Sequence, residues 1–534
     1  MRFTTEELRI DIEPWGPDEA TVETARRAIL EHQLVRERLR DARHRLLTIE
    51  PIDDEEKTIR PTVPRRYLAT LYDYTNNRAL LVHGQFDRPG ELAVVDSGSQ
   101  PLPSREEFDE AVELLAQHRE LGEPIRDGQL VPYAPMPPLV AQEEDDGHVE
   151  RTIAVGLRPV RDDGRVRHEI VGVNLIRREV IRYAGGAPDF TAAHDGICGL
   201  PNAGQGTAPR TAAGTVRVTV RQGATVLWRF VAIRPAASAG VVGSGIELRF
   251  VDYRGKRVLY RANVPILNVR YDGDACGPYR DWQYEEGRLE ANGTDVAPGF
   301  RFCPTPARTI LDTNDDTGNF LGVAIYVAGQ EVVLVCEMQA GWYRYISEWR
   351  FHTDGTIRPR FGFSAVQSSC VCERHYHHVY WRFDFDIRTA GANIVREFND
   401  PPLVGGSRWH AKSYEIRRLR DLGRNRRWRV EHAATGEGYT LVPGPGDGTV
   451  DSFGVGDLWA LRYCGSASAP TGEGDDGQGF TTDPARARAG LDRFLTGESI
   501  HEQDVVLWYA AHFSHDVHVA TGHIVGPDLV PVNW

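Results

Sequence analysis

The sequence predicts a mostly β protein, in which a large C-terminal β-sandwich follows two small α+β domains. Its 534 residues are enough for several domains of roughly 100 to 200 residues each. A helical pattern followed by strand patterns occurs twice in the first third of the chain, which is typical of small α+β units. After residue 213, short alternating strands separated by Gly, Asp and Asn dominate, which indicates a β-sandwich.

The first predicted domain spans residues 1–98. Apolar residues recur at helical spacing from Asp18 to about Leu47, which predicts one long surface helix. The segments YLATLYDY and ALLVHGQF then alternate apolar and polar residues and are joined by TNNR. This pattern predicts a β-hairpin.

The second predicted domain spans residues 99–190. In SREEFDEAVELLAQH, Ser104 stands before two glutamates as a helix N-cap does, so a helix is expected to begin there. Strands are expected in RTIAVGLRPV and HEIVGVNLIRREVIRY. Gly and Ala then crowd residues 191–213, which predicts a linker.

The third predicted domain is the β-sandwich, residues 214–534. Its strand signals are short runs rich in β-branched and aromatic residues with few helical patterns between them. The clearest of these runs are TVRVTV, VLWRFVAI, GIELRFVDY, EVVLVCEM, WRFDFDI and RRWRVEH.

Charge and composition exclude some partners. The 76 acidic residues outnumber the 62 basic ones, for a formal charge of -14, and no Lys or Arg run offers the electrostatic footprint of a nucleic-acid binder. No stretch approaches the ~20 apolar residues of a membrane span, and the start MRFTTEELRI is not a signal peptide. We therefore expect a soluble, cytoplasmic protein with neither nucleic acid nor membrane as partner.

The seven cysteines are too few and too scattered for the disulfide framework of a small secreted protein. We therefore expect them to be reduced. Nearly all the positive charge is Arg, because Lys57, Lys256 and Lys412 are the only lysines.

The densest group of chemically capable side chains is CVCERHYHHVYWRFDFD, residues 370–386. His375 and His377 stand two residues apart, which on a strand places both imidazoles on one face and within reach of one metal ion. Imidazole ligands suit copper and zinc. The alternative is that the pair decorates a strand by chance. A Cys2His2 zinc site with Cys370 and Cys372 is a rival hypothesis, but a C-x-C pair so near the histidines makes a closed tetrahedral site awkward.

A second histidine group lies near the C-terminus in LWYAAHFSHDVHVATGH. Its members are His512, His515, His518 and His523. Any of them could complete a three-histidine site, and spacing alone does not choose among them.

The segment AGWYRYISEWRFHTDGTIRPRFGF predicts an aromatic hairpin with its turn at Asp354 and Gly355. Core packing is the default account of Tyr343 and Tyr345.

Together these three segments resemble the catalytic domain of the copper amine oxidases, whose active-site tyrosine is converted to topaquinone. GWYRYISEWRFHTDGTI is similar to the family hairpin G-N-Y-D/E-Y followed by W-x-F-H-x-D-G-T-I, which implies Tyr343 as the topaquinone precursor. HYHHVYWRFD resembles the H-x-H motif and LWYAAHFSH the late strand with the third ligand. The resemblance implies copper(II) on His375, His377 and His515.

The resemblance extends over residues 214–534, including GIELRFVDYRGKRVLYRANVPILNVRYDGD and RRWRVEHAATGEGYTLVPG. It also implies a peripheral Ca²⁺-like ion with a structural role. The matching positions are the side chains of Asp384, Asp386 and Asp504 and the carbonyls of Phe385 and Val505. Hard oxygen ligands suit such an ion.

The sequence departs from the family pattern around the precursor tyrosine. Trp342 stands where the family has the Asn that orients the ring, and Arg344 replaces an acidic residue. Within VRYDGDACGPYRDWQYEEG, the resemblance implies Tyr271 as the tyrosine that bonds the quinone and Glu285, in place of Asp, as the base. A solvated surface acid is the alternative for Glu285. The stretches between Glu285, Tyr343 and His375 are shorter than in typical members.

The implied function is oxidative deamination of a primary amine to an aldehyde, with O2 reduced to H2O2 and Glu285 removing the substrate proton. The implied assembly is a homodimer. One alternative is a copper oxidase or oxygenase that works without topaquinone in a biosynthetic pathway, which Trp342 and Arg344 favour. The other is a catalytically silent homologue that keeps its metals for stability.

Overall fold

The computed structural model of the protein describes most of the chain, and every structural statement below refers to that part. The described residues are 1–4, 8–52, 57, 62–98, 100–101, 103–135, 139–140, 148–160, 169–183, 198–200, 214–235, 245–271, 279–281, 283, 285–464, 475, 490–515 and 523–534. Among them, no helix has the length and apolar character that a membrane crossing requires.

The chain begins with a short antiparallel pair, β1 (Arg2–Thr4) and β2 (Arg9–Pro14). Strand β2 pairs along its other edge with a strand that begins at Thr215, so the first residues join the large sandwich sheet. The sequence analysis placed these residues in the first domain, residues 1–98, and did not predict their pairing with the sandwich sheet. The other predicted domain boundaries stay predictions.

The first accessory unit places two helices on a four-stranded sheet. Its elements are α1 (Glu19–Glu31), α2 (Gln33–Arg38), β3 (His44–Ile52), β4 (Arg66–Asp73), β5 (Arg78–Gln85) and β6 (Arg88–Ser97). The Asp18 side chain caps α1 by accepting from the Thr21 N–H. The single helix expected to reach Leu47 is wrong in two respects. It is broken at His32, whose backbone is extended, and beyond Arg38 the chain forms β3 instead. The predicted hairpin is β4 and β5.

The second accessory unit repeats this plan. Its elements are α3 (Arg105–Ala116), α4 (Gly122–Arg126), β7 (Leu130–Tyr133), β8 (Thr152–Pro159), β9 (Glu169–Asn174) and β10 (Glu179–Ile181). Ser104 and Glu107 form the capping box of α3, as the sequence predicted. The Glu107 carboxylate also pairs with the buried guanidinium of Arg151, which ties α3 to the start of β8. The predicted linker, residues 191–213, lies outside the described residues except for 198–200.

Most of the remaining strands build the sandwich, the strands Arg288–Leu289 and Phe320–Leu321 form a separate antiparallel pair, and together they confirm the predicted mostly β fold. They are β11 (Thr215–Gln222), β12 (Thr225–Ile233), β13 (Glu247–Tyr253), β14 (Lys256–Tyr271), β15 (Tyr279–Arg280), β16 (Arg288–Leu289), β17 (Thr294–Ala297), β18 (Phe300–Phe302), β19 (Phe320–Leu321), β20 (Val323–Ala328), β21 (Glu331–Ala340), β22 (Tyr343–His352), β23 (Ile357–Ala365), β24 (His375–Phe385), β25 (Asn393–Phe398), β26 (Trp409–Lys412), β27 (Ile416–Arg418), β28 (Arg427–His432), β29 (Gly438–Val442), β30 (Leu458–Arg462), β31 (Val505–His515), β32 (His523–Val525) and β33 (Asp528–Val532). A one-turn helix, α5 (Ile310–Thr313), precedes β19.

Two large sheets share one apolar core. The first has the order β1-β2-β11-β12-β13-β14-β24-β31-β30-β27, and the second the order β17-β18-β20-β21-β22-β23-β33-β29-β28-β25-β26. Trp349 of the second sheet and Phe383 of the first meet in this core, with ring centroids 6.4 Å apart. Strand β24 is central in the first sheet and β22 in the second, so side chains on their inner faces lie between the sheets.

Candidate metal centre and tyrosine site

The expected site residues converge at one end of the sandwich. Strand β24 pairs with β14 on one side and β31 on the other, in a register that aligns Tyr271, His375 and His515 in one row. Because neighbouring strands in register place their side chains on the same face, these three residues share one patch of the sheet. Tyr271 and His515 are 244 positions apart in the sequence, and the pairing of their strands with β24 brings them together.

His375 lies between the other two candidate ligands. Its ring centroid is 5.0 Å from that of His377 and 4.9 Å from that of His515. Nδ1 of His375 lies 2.8 Å from the Glu373 carbonyl, which orients the ring. Within the described residues, Nε2 of His375 and Nε2 of His377 are buried and have no hydrogen-bond partner. These nitrogens have the burial and the donor type of metal ligands.

Burial also sets the protonation of the two histidines. It lowers the pKa of His375 to about 3 and the pKa of His377 well below its ordinary value. Both imidazoles are therefore neutral near pH 7, which is the form that binds a metal.

The histidine rings are gathered, but they do not form a closed triad. The described residues contain one set of three potential ligand groups whose atoms all lie within 4.8 Å of one another, and that set is carboxylate. The histidines meet pairwise through His375, so a shared ion requires His377 and His515 to turn toward each other. The buried, neutral imidazoles are suitable ligands for copper(II). Binding one ion through all three of them requires the rings of His377 and His515 to turn.

Tyr343 faces the histidines from the second sheet. Its ring centroid is 5.5 Å from that of His375 and 5.1 Å from that of His377. Its hydroxyl is hydrogen-bonded to the hydroxyl of Tyr271. The Trp342 indole N–H donates to the same Tyr271 oxygen over 3.0 Å. Burial and the neighbouring phenol raise the pKa of Tyr271 well above its usual range. Trp342 therefore acts on Tyr343 through Tyr271.

Arg344 points away from the tyrosines. Its guanidinium forms a bidentate pair with the Asp316 carboxylate, with both N···O distances 2.7 Å, and also donates to the Gly341 and Tyr343 carbonyls. Its positive charge is thus matched by a carboxylate. A cation at this position would oppose a bound protonated amine, and the Asp316 carboxylate reduces that repulsion.

Glu285 is buried, with 8% of its surface exposed, so the alternative of a solvated surface acid is wrong. Its carbonyl accepts from the Gln339 N–H. Gln339 is the cross-strand partner of Arg344, and the next pair is Ala340 with Tyr343. Glu285 thus lies one strand away from the tyrosine hairpin.

Asp281 is a site residue that the sequence reading missed. Its carboxylate accepts a hydrogen bond from the Tyr345 hydroxyl, whose oxygen also lies 3.5 Å from Nδ1 of His377. Burial raises the pKa of Asp281 to about 8. The signal was its place in the segment that follows Tyr271. The contact itself depends on β15 folding back along β14.

The cysteines correct two expectations. Cys198 and Cys372 form a disulfide, and Cys370 is also disulfide-bonded. The expectation that the thiols are reduced is therefore wrong for these residues. The Cys2His2 zinc hypothesis is wrong as well, because sulfur in a disulfide is not available as a thiolate ligand. The disulfides instead hold the turn that leads into His375.

The other late histidines have separate surroundings. Nδ1 of His512 lies 2.8 Å from Nδ1 of His378, on the face of β24 opposite His377. The ring of His523 is 6.1 Å from that of His515. His518 lies outside the described residues.

The residues expected around a peripheral ion also come together. Asp384, Asp386 and Asp504 are the carboxylate set whose ligand oxygens lie within 4.8 Å of one another. Phe385 and Val505 are cross-strand partners between them. The ammonium group of Lys57 lies among the three carboxylates, at 2.5 to 3.0 Å from each.

No family model matches the chain, and no curated protein sequence is detectably similar to it. Solved structures are similar in fold. The copper-containing benzylamine oxidase of Hansenula polymorpha superposes with a TM-score of 0.63 at 13% identity over 98% of each chain. An Aspergillus nidulans amine oxidase gives 0.54 at 13% identity, covering 98% of this chain and 90% of its own. A Pichia pastoris lysyl oxidase gives 0.52 at 10% identity, covering 92% and 85%.

These comparisons define the class. The chain has the fold of the copper amine oxidases, over nearly its whole length and at a low sequence identity. It is a divergent protein of that fold, as the motifs predicted.

Proposed function

We propose that the protein is a copper-dependent oxidase of the primary-amine oxidase type. The observation that carries the proposal is the placement of Tyr343, between two buried imidazoles with unpartnered Nε2 atoms and a phenol on its own hydroxyl. In the proposed reaction a primary amine, O2 and water give an aldehyde, ammonia and H2O2. The two electrons lost by the amine carbon reduce O2.

His375, His377 and His515 would hold the copper, and Tyr343 is the residue proposed to become topaquinone. Copper and the quinone together would supply the electron transfer between amine and O2. The chain's own groups set the surroundings. Tyr271 fixes the Tyr343 hydroxyl, and Phe363, at 5.2 Å from the Tyr343 ring and 4.1 Å from the His377 ring, helps to exclude water.

Glu285 is proposed as the group that accepts the substrate proton. It is buried, and its backbone carbonyl is hydrogen-bonded to Gln339 of β21, the strand that pairs with the strand of Tyr343. The partners of the proposed reaction are an amine and O2.

The proposed assembly is a homodimer. It is supported by a concentration of exposed apolar side chains between residues 403 and 422, namely Leu403, Val404, Tyr414, Leu419 and Leu422, because exposed apolar side chains of this size favour association. The proposed location is the cytoplasm, and the disulfides stand against it, because disulfides persist mainly in oxidising compartments. Light scattering at micromolar concentration should give twice the chain mass, and a monomer there would contradict the dimer.

The test of the function is aerobic copper loading of the purified protein. Mass spectrometry of the peptide that contains Tyr343 should detect an oxidised residue, and phenylhydrazine should form a coloured adduct. A Tyr343→Phe variant should lose both signals. The matched control is Tyr326→Phe, at a buried position of β20 outside the site, which should still form the adduct.

A copper oxidase without the quinone is the second candidate. The observation that favours it is the pair of hydrogen bonds at the Tyr271 hydroxyl, one from the Trp342 indole N–H and one with the Tyr343 hydroxyl. Together they restrain the Tyr343 ring, which must rotate during quinone formation. An unmodified Tyr343 in protein that binds copper and consumes O2 would replace the first proposal with this one. Unmodified Tyr343 without O2 consumption would favour a silent homologue.

A further inference from the structure

We infer that Lys57 is a built-in cation, which takes the place of the divalent ion expected at the peripheral carboxylates. Its Nζ donates to one oxygen each of Asp384, Asp386 and Asp504, over 2.5, 3.0 and 2.7 Å. An ammonium group has three N–H donors. Each donor therefore meets a different carboxylate, and the group is fully satisfied.

The surroundings of Lys57 are those of a bound ion. Its side chain is only 9% exposed. The ring of Tyr463 lies 4.0 Å from Nζ and the ring of Tyr260 lies 5.0 Å from it. Aromatic faces at these distances attract a cation that has lost its water. Carboxylates on one side and rings on the other enclose the charge.

The ammonium and a calcium ion exclude each other at this place. Ca²⁺ is bound by oxygen ligands at about 2.3 to 2.6 Å, and the three oxygens already contact Nζ at 2.5 to 3.0 Å. An ion at their centre would occupy the position of the ammonium. The carboxylate chemistry fits Ca²⁺, but the site as built in this chain does not.

The charges agree with this assignment. Burial raises the pKa of Asp504 to about 8 and that of Asp386 to about 6, and the positive charge of Lys57 acts against this rise at both carboxyl groups. Burial alone would lower the pKa of Lys57, but the three carboxylates outweigh it and raise that pKa. Lys57 is charged at every physiological pH.

Lys57 also joins two parts of the molecule. It lies between β3 and β4 of the first accessory sheet, whereas Asp384 and Asp386 belong to the end of β24 and Asp504 immediately precedes β31. A free ion would neutralise the carboxylates without this connection. The lysine neutralises them and fastens the accessory sheet to the sandwich, and this inference is independent of the proposed oxidase activity.

The test compares the wild type with Lys57→Met, which keeps the unbranched apolar stem of the side chain and removes the charged Nζ. Both are stripped with a chelator and then titrated with CaCl2, followed by calorimetry and thermal unfolding. Lys256→Met is the matched control, because Lys256 also pairs with a carboxylate, that of Glu437, but away from the cluster.

The wild type and Lys256→Met should show no calcium-dependent shift of the melting temperature. Lys57→Met should melt at a lower temperature without calcium, regain part of the loss with calcium, and bind Ca²⁺ about tenfold or more tightly than the wild type. If Lys57→Met fails to fold in chelator, its refolding yield should rise when CaCl2 is added.

Two results would overturn the inference. The first is a calcium-dependent rise in the melting temperature of the wild type that Asp504→Asn abolishes, since this would place the ion in the cluster despite Lys57. The second is a Lys57→Met protein whose stability or refolding does not respond to calcium.

Discussion

The Tyr345 hydroxyl donates a hydrogen bond to the carboxyl group of Asp281, and the hydroxyl oxygen also lies 3.5 Å from Nδ1 of His377. A carboxyl group, a phenol and a candidate metal ligand thus form one buried line. Groups that hydrogen-bond the outer nitrogen of a metal-binding histidine orient it and tune its basicity. Asp281 is therefore positioned to act, through Tyr345 and His377, on the candidate metal centre.

Replacing Asp281 with Asn should change how stability depends on pH. The pKa of Asp281 is raised by burial to about 8 in the folded protein, against about 3.9 in an unfolded chain. Between these values the unfolded chain releases the proton while the folded protein keeps it, so wild-type stability falls as the pH rises, by up to about 1.4 kcal/mol per pH unit.

Asp281→Asn removes this loss, so its stability relative to the wild type should be higher at pH 8 than at pH 5. Thermal unfolding at both values measures the difference. Asp109→Asn, at an exposed position of α3, is the control. Parallel pH profiles for wild type and Asp281→Asn would contradict the assignment.

Replacing His377 with Ala should abolish copper binding while the fold survives. The side chain is buried between Phe363 and Phe513, and its Nε2 is a candidate ligand atom. Metal analysis after dialysis, with circular dichroism as the fold check, gives the result. His501→Ala, at an exposed position, should bind copper as the wild type does. Full copper occupancy in His377→Ala would show that the metal lies elsewhere.

Replacing Asp316 with Asn should destabilise the protein strongly. The Arg344 guanidinium is fully buried and forms its bidentate pair with Asp316. Removing one partner of a buried pair leaves an uncompensated charge and costs about 3 to 5 kcal/mol. Glu91→Gln breaks the exposed pair with Arg88 and should cost less than about 1 kcal/mol. Equal effects in urea unfolding would mean that Arg344 does not depend on Asp316.

Reducing the Cys198–Cys372 disulfide should lower stability by roughly 2 to 5 kcal/mol, because it closes a long loop. The two cysteines are 174 residues apart in sequence. Cys198→Ser should melt below the wild type and respond less to dithiothreitol, with the disulfide of Cys370 still open to reduction, whereas Cys303→Ala keeps both disulfides and the full response. A wild-type melting temperature that dithiothreitol leaves unchanged would contradict this prediction.

Local signals predicted local structure well. Ser104 and Glu107 predict the start of α3, and the Asp354–Gly355 turn predicts the hairpin of β22 and β23 that carries Tyr343. The spacing of His375 and His377 places them on one face of β24. Motif order then predicted the fold, because several separated segments agreed.

Contacts between residues far apart in the chain could not be predicted from the sequence, because they depend on the register in which strands pair. The sequence offers no sign that Lys57 reaches a carboxylate 327 residues away, since its neighbours form no motif. Asp281 meets Tyr345 because β15 folds back along β14, which no local pattern around Asp281 predicts. The strand register that decides such meetings depends on how whole sheets pair, which residue spacing alone does not encode.

The pairing of β2 with β11 has a consequence for synthesis. The Trp15 N–H donates to the Thr215 carbonyl over 2.8 Å, so the chain leaves the large sheet and returns to it at adjacent points. At about 5 to 20 residues per second, the ribosome needs roughly 10 to 40 s to make the chain between them. For that interval Ile10 and Ile12, which are buried in the finished protein, lack their neighbouring strand β11. This segment is therefore exposed to chaperones until β11 emerges from the ribosome.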